Sequence, residues 1–512
     1  MLRPDQDDVS EAVALEWREI APVEGGILRA FERLRRDSFP WLLDSALHEH
    51  GLGRFSFAGS DPYMVARING SVIEEHCRRS VRVGTQIGHR VVEGDPLGWL
   101  RGLLGETGRI ESDLPVALPF VGGAVGYLGY ECMEDLGRVR RPSFEDEVDF
   151  SDATLLLVDR VLAVDHETDR SFALGLGFGA DLKDARKNAN HALGHLLEQL
   201  DDVGHHSIDR NLAECVETAT RVDVLSAEPP RGHRSELDQF EYMDRISRIK
   251  EEIAAGNVYQ ANLTHRMVAP FAGDPWRLYQ SLRRISPAPF ACFIEVPDGV
   301  IVGSSPERFV RLSGDGDVES RPIKGTRPRG STADEDRELE QDLASSEKDR
   351  AENLMIVDLV RNDLGRVCEA GSVEVPRLMK VERYASVFQM VSVVTGRLRE
   401  DCDALDLVTA AFPPGSMTGA PKIAAVSLLR ELEPVRRGVY SGALGYFDQR
   451  GGMDLSVVIR TTLVQKERAS LHVGGAIVSD SDATDEYRET IDKARALWAA
   501  LVESDGSSDE AL

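Results

Sequence analysis

Residues 321–326 read Arg-Pro-Ile-Lys-Gly-Thr, and the rest of the chain is organised around this stretch. It follows a short strand-like run at 318–320 and contains a glycine, so the pattern predicts a strand that ends in a turn. Lys324 would lie at the end of that strand, where Gly325 and Thr326 can donate hydrogen bonds to an anion from their backbone N–H groups and from the Thr326 hydroxyl. A lysine placed in this way can serve as a nucleophile, whereas an arbitrary Lys-Gly-Thr is more often a surface lysine before a turn.

The composition of the chain excludes several classes of protein. The 512 residues include 87 acidic and 60 basic side chains, for a formal charge of −27, which argues against binding to nucleic acids or anionic membranes. The length and the hydrophobic content of 42% predict two domains or one very large one. The six cysteines show neither a disulfide framework nor zinc-ligand spacing, and no apolar run is long enough to cross a bilayer. We therefore expect a cytoplasmic protein.

The pattern of apolar residues divides the chain at a polar stretch. Short strands and helices alternate over 16–200, the composition turns polar over the expected linker at 201–236, and a second region covers 237–503. In that second region the pattern predicts one long helix over 334–365 and one strand over 453–464. Runs of strands with helices between them favour a mixed α/β (α+β) fold over a doubly wound sheet.

Two predicted helices carry paired carboxylates. Asp349 and Glu352 are three residues apart on the long helix, and Glu486 and Glu489 repeat that spacing on a last helix at about 482–502, so each pair shares a helix face. In an acidic chain such pairs are often solvated surfaces. The alternative is a site for a hard cation, for which Mg²⁺ is suited because it takes few protein ligands and keeps its waters.

Other polar or glycine residues stand out within apolar strands of the second region. Glu307 follows a Ser-Ser-Pro turn just ahead of the lysine strand, where a glutamate can face a cleft and act as a general acid, although turn formation alone explains the motif too. Arg460 lies in a nearly apolar strand, and a buried arginine requires a partner such as a carboxylate. Gly474 and Gly475 would let a ligand approach the backbone closely.

Together these segments resemble the chorismate-utilising enzymes, the family of anthranilate synthase component I, aminodeoxychorismate synthase component I and the isochorismate and salicylate synthases. The resemblance is carried by Ser-Pro-Glu at 305–307, Pro-Ile-Lys-Gly-Thr at 322–326, Asp-Arg-Ala-Glu-Asn at 349–353, Asp-Leu-Val-Arg-Asn-Asp at 358–363, Gly-Ser-Met-Thr-Gly-Ala-Pro-Lys at 415–422, Gly-Tyr-Phe at 445–447 and Tyr-Arg-Glu-Thr at 487–490. It is dense over 237–500 and extends into the N-terminal half. It implies two antiparallel β-sheets packed face to face with helices outside, and intertwined halves.

At three positions the chain resembles aminodeoxychorismate synthase component I more than the other members of this family. Anthranilate synthases carry alanine where Lys324 stands, and they usually carry a histidine at the position of Gln389. Isochorismate and salicylate synthases place a water-activating lysine at the position of Gln260. The alternatives are an anthranilate synthase component I and a relative that binds chorismate or tryptophan without catalysis.

The resemblance implies that chorismate and ammonia are converted to 4-amino-4-deoxychorismate, for the synthesis of 4-aminobenzoate and folate. Lys324 would attack C2 to give a covalent intermediate, and Glu307 would protonate the departing C4 hydroxyl. The residues implied for Mg²⁺ are Glu352 and Glu489, with Asp349 and Glu486 close by. The residues implied for contact with the substrate are Gly325, Thr326, Tyr446, Arg460, Gly474, Gly475 and Ala476.

Two further expectations concern a second ligand and a partner. Anthranilate synthases bind tryptophan at a serine like Ser45 and at a Pro-Tyr-Met segment, which here reads Pro289, Phe290 and Ala291; we expect a tryptophan-like pocket, and the changed segment argues against feedback control. No cysteine lies in the Gly-x-Cys-x-Gly turn of a glutaminase, so the ammonia is expected from a separate glutamine amidotransferase subunit or from solution. No nucleic-acid or membrane partner is expected.

Overall fold

The computed structural model describes residues 11–21, 25–105, 110, 113–132, 147–201, 224–384 and 387–505. Most of the expected linker at 201–236, namely residues 202–223, lies outside these ranges. The α-helices are α1 (Gly26–Leu34), α2 (Pro96–Leu104), α3 (Leu182–Asp201), α4 (Gln239–Ala254), α5 (Pro275–Ile285), α6 (Ala333–Ser345), α7 (Glu347–Gly365), α8 (Ala404–Ala411), α9 (Lys422–Leu432) and α10 (Ala483–Ser504). Among these helices, none has the length and apolar character that a bilayer crossing requires.

The strands run along the whole described chain. The first group is β1 (Ala12–Ile20), β2 (Trp41–Asp44), β3 (Phe55–Gly59), β4 (Met64–Asn69), β5 (Val72–Cys77), β6 (Gly88–Glu93), β7 (Gly123–Leu128), β8 (Ala153–Val158), β9 (Arg160–Asp165) and β10 (Arg170–Gly179). The second group is β11 (Arg234–Ser235), β12 (Gln260–Pro270), β13 (Phe290–Val296), β14 (Gly299–Ser305), β15 (Arg308–Leu312), β16 (Asp317–Arg321), β17 (Ile323–Pro328), β18 (Glu374–Arg383), β19 (Val387–Arg397), β20 (Gly419–Ala420), β21 (Ala443–Asp448), β22 (Met453–Val457), β23 (Thr461–Gln465) and β24 (Arg468–Ile477).

These strands form two sheets, each of 12 strands within the described residues. Sheet A has the order β1-β10-β9-β3-β2-β13-β14-β23-β24-β12-β11, and β20 also pairs with β12. Sheet B has the order β17-β19-β16-β15-β22-β21-β7-β8-β4-β5-β6, and β18 also pairs with β19. Neighbouring strands in both sheets are antiparallel, including the central pairs β2 with β13 and β7 with β21.

Each sheet combines strands from both ends of the chain. In sheet A, Asp44 of β2 lies opposite Ala291 of β13, and in sheet B, Val125 of β7 lies opposite Tyr446 of β21. A division near residue 236 therefore does not separate one sheet from the other, and the domain boundaries drawn from composition stay a prediction.

The two sheets pack face to face through aromatic side chains. The rings of Trp41 and Phe120 lie 6.1 Å apart, and those of Phe57 and Tyr446 lie 5.7 Å apart, which joins the inner face of sheet A to that of sheet B. On the outer face of sheet A, α1 and α5 pack against β13. These observations confirm the predicted mixed α/β fold of two face-packed antiparallel sheets with helices outside.

The single helix predicted over 334–365 is two helices. The chain breaks at Ser346, where the backbone is extended at φ −60° and ψ 111°. The Ser346 hydroxyl then accepts a hydrogen bond from the backbone N–H of Asp349, which is the N-cap interaction that starts a new helix. The break sets the direction of α7 and hence of its acidic pair, Asp349 and Glu352.

The single strand predicted over 453–464 is also interrupted. Its first part, β22, belongs to sheet B, and its second part, β23, belongs to sheet A. Arg460 lies in the connection with a positive φ of 51°, a conformation that is uncommon for a non-glycine residue and that interrupts the extended strand. Because the chain passes from one sheet to the other at this point, Arg460 lies between them.

Candidate active site

A cavity of about 500 Å³ lies where the two sheets meet α7 and α10. Most of the site residues predicted from the sequence line it, namely Glu307, Lys324, Gly325, Thr326, Asp349, Glu352, Arg460, Gly474, Ala476, Glu486 and Glu489. The volume is typical of a site for a small molecule. The fold therefore brings together side chains that are up to about 180 residues apart in the sequence.

Lys324 reaches this cavity through an irregular strand. The pairing of β17 with β19 shifts in register between Ile323 and Thr326, and Gly325 has a φ of +87°. A side chain at Gly325 would approach the Asp349 carboxylate to 2.9 Å, so glycine is what allows α7 to lie this close to the strand. The Lys324 Nζ donates a hydrogen bond of 3.3 Å to the carbonyl oxygen of Ser416.

Glu307 lies in the same cavity and is only 5% exposed. Burial raises the pKa of Glu307 to about 7, while a hydrogen bond from the Ser416 side chain and the charge of Lys324 oppose this rise. A carboxyl with this pKa is partly protonated near neutral pH, as a general acid needs to be. Ser416 thus contacts the amine through its carbonyl and the acid through its side chain.

The four predicted metal-binding carboxylates differ in their partners. Glu486 accepts hydrogen bonds from Lys348 at 3.0 Å and from Ser481 at 2.7 Å. The oxygens of Glu489 and Asp349 lie 2.7 Å from Lys493 and 3.0 Å from Arg327, respectively, as ion pairs that the sequence did not predict. Within the described residues, no group of three or more His, Cys, Asp or Glu side chains is close enough to hold a metal ion.

Glu352 is the carboxylate available to a cation. It is 8% exposed and lines the cavity, yet among the described residues no side chain forms an ion pair with it. Burial raises its pKa, whereas the more distant charges of Lys324 and Lys348 lower it. A buried carboxylate without a partner is costly, so a bound cation beside Glu352 would be stabilised. Its oxygen donors are those that Mg²⁺ prefers.

Other residues of the same cavity are suited to an anion. Burial lowers the pKa of Arg460, and electrostatic interactions with Tyr440 and Glu489 oppose this fall. In the part of the chain that the structure describes, the Arg460 guanidinium forms no ion pair, and it lines the cavity. The Tyr440 ring stacks on His472 at 5.1 Å, and both line the cavity. Burial raises the pKa of Tyr440, so its side chain is a neutral hydroxyl that can donate a hydrogen bond. Burial lowers the pKa of His472, so its imidazole is neutral.

Two of the predicted substrate contacts, Tyr446 and Gly475, do not line this cavity. Tyr446 lies on β21 and lines another cavity, because the alternation of the strand turns its ring toward Phe120 and Phe57. The tyrosine that lines the candidate site is Tyr440. Gly475 faces α10: a side chain there would meet the Glu486 carboxylate at 3.1 Å. Its neighbours Gly474 and Ala476 do line the cavity.

The sequence reasoning missed several residues that line the cavity. They are Asn262, Lys348, Ser416, Tyr440, His472 and Lys493. Lys493 follows Glu489 by four residues on α10, so helical spacing could have drawn attention to it. Ser416 lies in the 3₁₀ turn Gly415–Met417, inside a segment already used for the family resemblance, but nothing in its local sequence indicates contact with Glu307.

A second cavity of about 550 Å³ contains all four residues predicted for a tryptophan-like pocket. Ser45, Pro289, Phe290 and Ala291 line it together with Tyr446. The Ser45 hydroxyl donates to the carbonyl of Phe55 at 2.6 Å, and the guanidinium carbon of Arg308 lies 5.3 Å from the centre of the Phe290 ring. Arg308 directly follows Glu307, so the two cavities adjoin the same strand.

This chain is similar to known proteins over most of its length. Residues 71–499 match the family of chorismate binding enzymes. An aminodeoxychorismate synthase from Streptomyces griseus is 41% identical over 92% of this chain, and the chain spans 62% of that longer protein. An aminodeoxychorismate synthase component 1 from Klebsiella aerogenes is 37% identical over 91% of this chain and 94% of the relative.

A solved structure has the same architecture. The crystal structure of anthranilate synthase component I from Streptococcus pneumoniae TIGR4 superposes with a TM-score of 0.70 at 31% identity, and covers 88% of this chain and 94% of its own. The family match extends over most of the chain, from strand β5 to helix α10, and takes in the whole lining of the candidate site. The chain therefore belongs to the family of chorismate binding enzymes.

Proposed function

We propose that the protein is an aminodeoxychorismate synthase, which converts chorismate and ammonia to 4-amino-4-deoxychorismate. The observation that carries the proposal is the pairing of Lys324 with Glu307 in one cavity, where Ser416 contacts both. A nucleophilic amine beside a carboxyl of raised pKa suits the replacement of one ring substituent by another. The names of the relatives from Streptomyces griseus and Klebsiella aerogenes support the same activity.

Chorismate carries two carboxylates, and the cavity offers two places for them. We place the enolpyruvyl carboxylate at Arg460, since a buried guanidinium without an ion pair can form a bidentate contact. Tyr440 would donate its hydroxyl there, and the backbone around Gly474 would let the substrate lie close to the strand. Gly325 and Thr326 would close the cavity beside Lys324.

The ring carboxylate belongs at the acidic end, with a Mg²⁺ ion. Glu352 and Glu489 would hold the ion, and Asp349 and Glu486 would lie close to it. When bound, Mg²⁺ neutralises and orients the substrate carboxylate. Lys348 and Lys493, which are near these acids, would balance the remaining charge.

The chain's own residues would then exchange the ring substituents. Glu307 donates its proton to the C4 hydroxyl, which leaves as water while the Lys324 Nζ forms a bond to C2. Ammonia forms a bond to C4, and the bond between C2 and the lysine breaks. The ring thus exchanges a hydroxyl for an amino group, and Lys324 is restored.

The ammonia would be supplied by a glutamine amidotransferase, and the product would serve the synthesis of 4-aminobenzoate and folate. The relative named as a component 1 supports an assembly with a further component. Co-purification with a glutamine amidotransferase, and turnover with glutamine only in its presence, would test this partner.

The second cavity is proposed to take an amino acid similar to tryptophan. Ser45, Phe290 and Ala291 are the residues that support this assignment. Calorimetric titration with tryptophan, compared between the natural chain and a Ser45→Phe variant, would test it; equal heats from both would contradict it.

A single product analysis tests the main proposal. Purified protein is incubated with chorismate, MgCl₂ and ammonium chloride, and the products are separated by chromatography. We expect 4-amino-4-deoxychorismate, which an added lyase converts to 4-aminobenzoate. Anthranilate formed without the lyase would instead identify an anthranilate synthase, and binding of chorismate without turnover would identify a non-catalytic relative.

A further inference from the structure

A much smaller cavity, of about 20 Å³, adjoins the candidate active site. Glu307 and Ser416 line both of them, so the two cavities meet at these residues. We call the smaller one the rear chamber. Its other principal lining residues are Val310, Ser320, Ile356, Asp363 and Ala411.

The rear chamber has room for one very small molecule. A volume of about 20 Å³ holds a molecule the size of water, and chorismate cannot enter it. Val310 and Ile356 are fully buried and Ala411 nearly so, which makes most of the wall apolar. Ammonia matches water in size, so the chamber can take either one in turn.

The polar atoms of the chamber suit a neutral hydrogen-bond donor. The carboxyls of Glu307 and Asp363 and the Ser320 hydroxyl can accept from N–H or O–H groups. Asp363 is already ion-paired with Lys422, whose Nζ lies 2.7 Å away, so its negative charge is balanced. Asp363 therefore adds no net negative charge that would attract an ammonium ion.

We propose that the rear chamber holds the ammonia that attacks C4 and receives the water that leaves from C4. This inference rests on the proposed function, since it concerns the amino group of the product. Glu307 lines both cavities and donates the proton to the C4 hydroxyl, so the water is released where the active site meets the chamber. Ammonia that replaces this water in the chamber then faces the same ring carbon.

The proton and electron pairs balance over the two steps. The Lys324 amine forms the bond to C2 with its lone pair, and C4 loses water made from its hydroxyl and the Glu307 proton. The ammonia lone pair then forms the C4–N bond while the C2–lysine bond breaks and its electron pair returns to Lys324. The new C4 ammonium gives one proton to the Glu307 carboxylate, so the acid is regenerated and the net change is chorismate plus ammonia to the amine plus water.

Filling the chamber tests the proposal. Val310→Ile and Ala411→Val each add carbon atoms to its wall and touch neither Lys324 nor the anion-binding side of the active site. With ammonium chloride as the varied substrate, we expect the KM for ammonium to rise about tenfold or more. The Kd for chorismate should stay within about twofold of the natural chain, since chorismate binding involves neither the ammonia nor the released water.

Enlarging the chamber gives the opposite test. Ile356→Val removes one methylene from the wall, so methylamine should become a nucleophile and yield the N-methyl product, which the natural chain should form poorly. Circular dichroism and chorismate binding serve as controls for folding in every variant.

The outcomes separate this inference from the proposed function. If the natural chain forms no 4-amino-4-deoxychorismate with ammonium, the proposed function fails. If it does, and the folded filled variants keep the natural KM for ammonium, the rear chamber is not the ammonia site. Should neither filled variant fold, the absence of the methylamine product from Ile356→Val overturns the inference.

Discussion

Replacing Ser416 by alanine should move the pH dependence of catalysis in a direction that the structure defines. Burial raises the pKa of Glu307 to about 7, and the hydrogen bond from Ser416 to this carboxyl opposes the rise. Removing that bond destabilises the ionised carboxylate, so the pKa of Glu307 should rise further. A general acid works only while protonated, so activity is lost as the pH rises through this pKa, and Ser416→Ala should stay active to higher pH.

The size of this shift follows from the strength of the lost bond. A hydrogen bond to a charged group contributes about 1.5–3 kcal/mol. At about 1.36 kcal/mol per pKa unit, the alkaline limb of the rate profile should move upward by about one to two pH units. Both side chains are buried, at 5% exposure each, so solvent screens the effect little.

The assay must separate Glu307 from the ionisation of ammonia. We suggest the single-turnover rate of lysine adduct formation, measured without ammonia by rapid quench and intact-protein mass over a range of pH. Ser305→Ala is the matched control, because Ser305 is similarly buried and donates its hydroxyl to the Val457 carbonyl, 2.6 Å away. The Ser305 hydroxyl oxygen accepts a hydrogen bond of 3.4 Å from the backbone N–H of Glu307, so it contacts the backbone of this residue. An alkaline limb that stays in place in Ser416→Ala, or that moves equally in Ser305→Ala, would refute the reasoning.

Three further predictions follow from the same site. Lys324→Ala should lower the rate of amination by about 10²-fold or more while chorismate still binds, as measured by product formation and calorimetry; unchanged turnover would exclude the covalent route. Arg460→Gln should weaken chorismate binding by about 1.5–3 kcal/mol, or about ten- to 150-fold in Kd, with little change in the thermal midpoint, since the guanidinium forms no ion pair within the described residues. A fall in Tm with unchanged Kd would show that Arg460 is structural. Chelation with EDTA should stop turnover, added Mg²⁺ should restore it, and Glu352→Gln should raise the Mg²⁺ concentration that gives half of the full rate; an unaltered Mg²⁺ titration would contradict the assignment of Glu352.

The sequence was sufficient to predict the parts of the site that depend on short motifs. Lys324 and Gly325 belong to one motif, and Asp349 and Glu352 share a helix face by simple spacing, so local patterns identify them. The mixed α/β fold followed from the pattern of strands and helices, and the two face-packed sheets followed from the family resemblance.

The features that the sequence did not predict depend on the three-dimensional path of the chain. Tyr440 and Tyr446 are six residues apart in similar surroundings, and only the path of the strand determines which of them reaches the cavity. Arg460 looked like part of one strand, whereas a positive φ places it at a crossing between sheets. Ser346 ends one helix and starts another through a single side-chain hydrogen bond, which apolar periodicity does not reveal.

The sharing of both sheets between the two ends of the chain bears on how the protein can be assembled. A fragment that ends near residue 201 would carry β2 and β7 with one edge of each unpaired, and the complementary fragment would expose β13 and β21 in the same way. Neither piece should persist alone in solution, whereas co-expression of the two should restore a single heterodimer through these matching edges. The molecule is thus a candidate for split-protein complementation, in which recovered catalytic activity would show that the two fragments have associated.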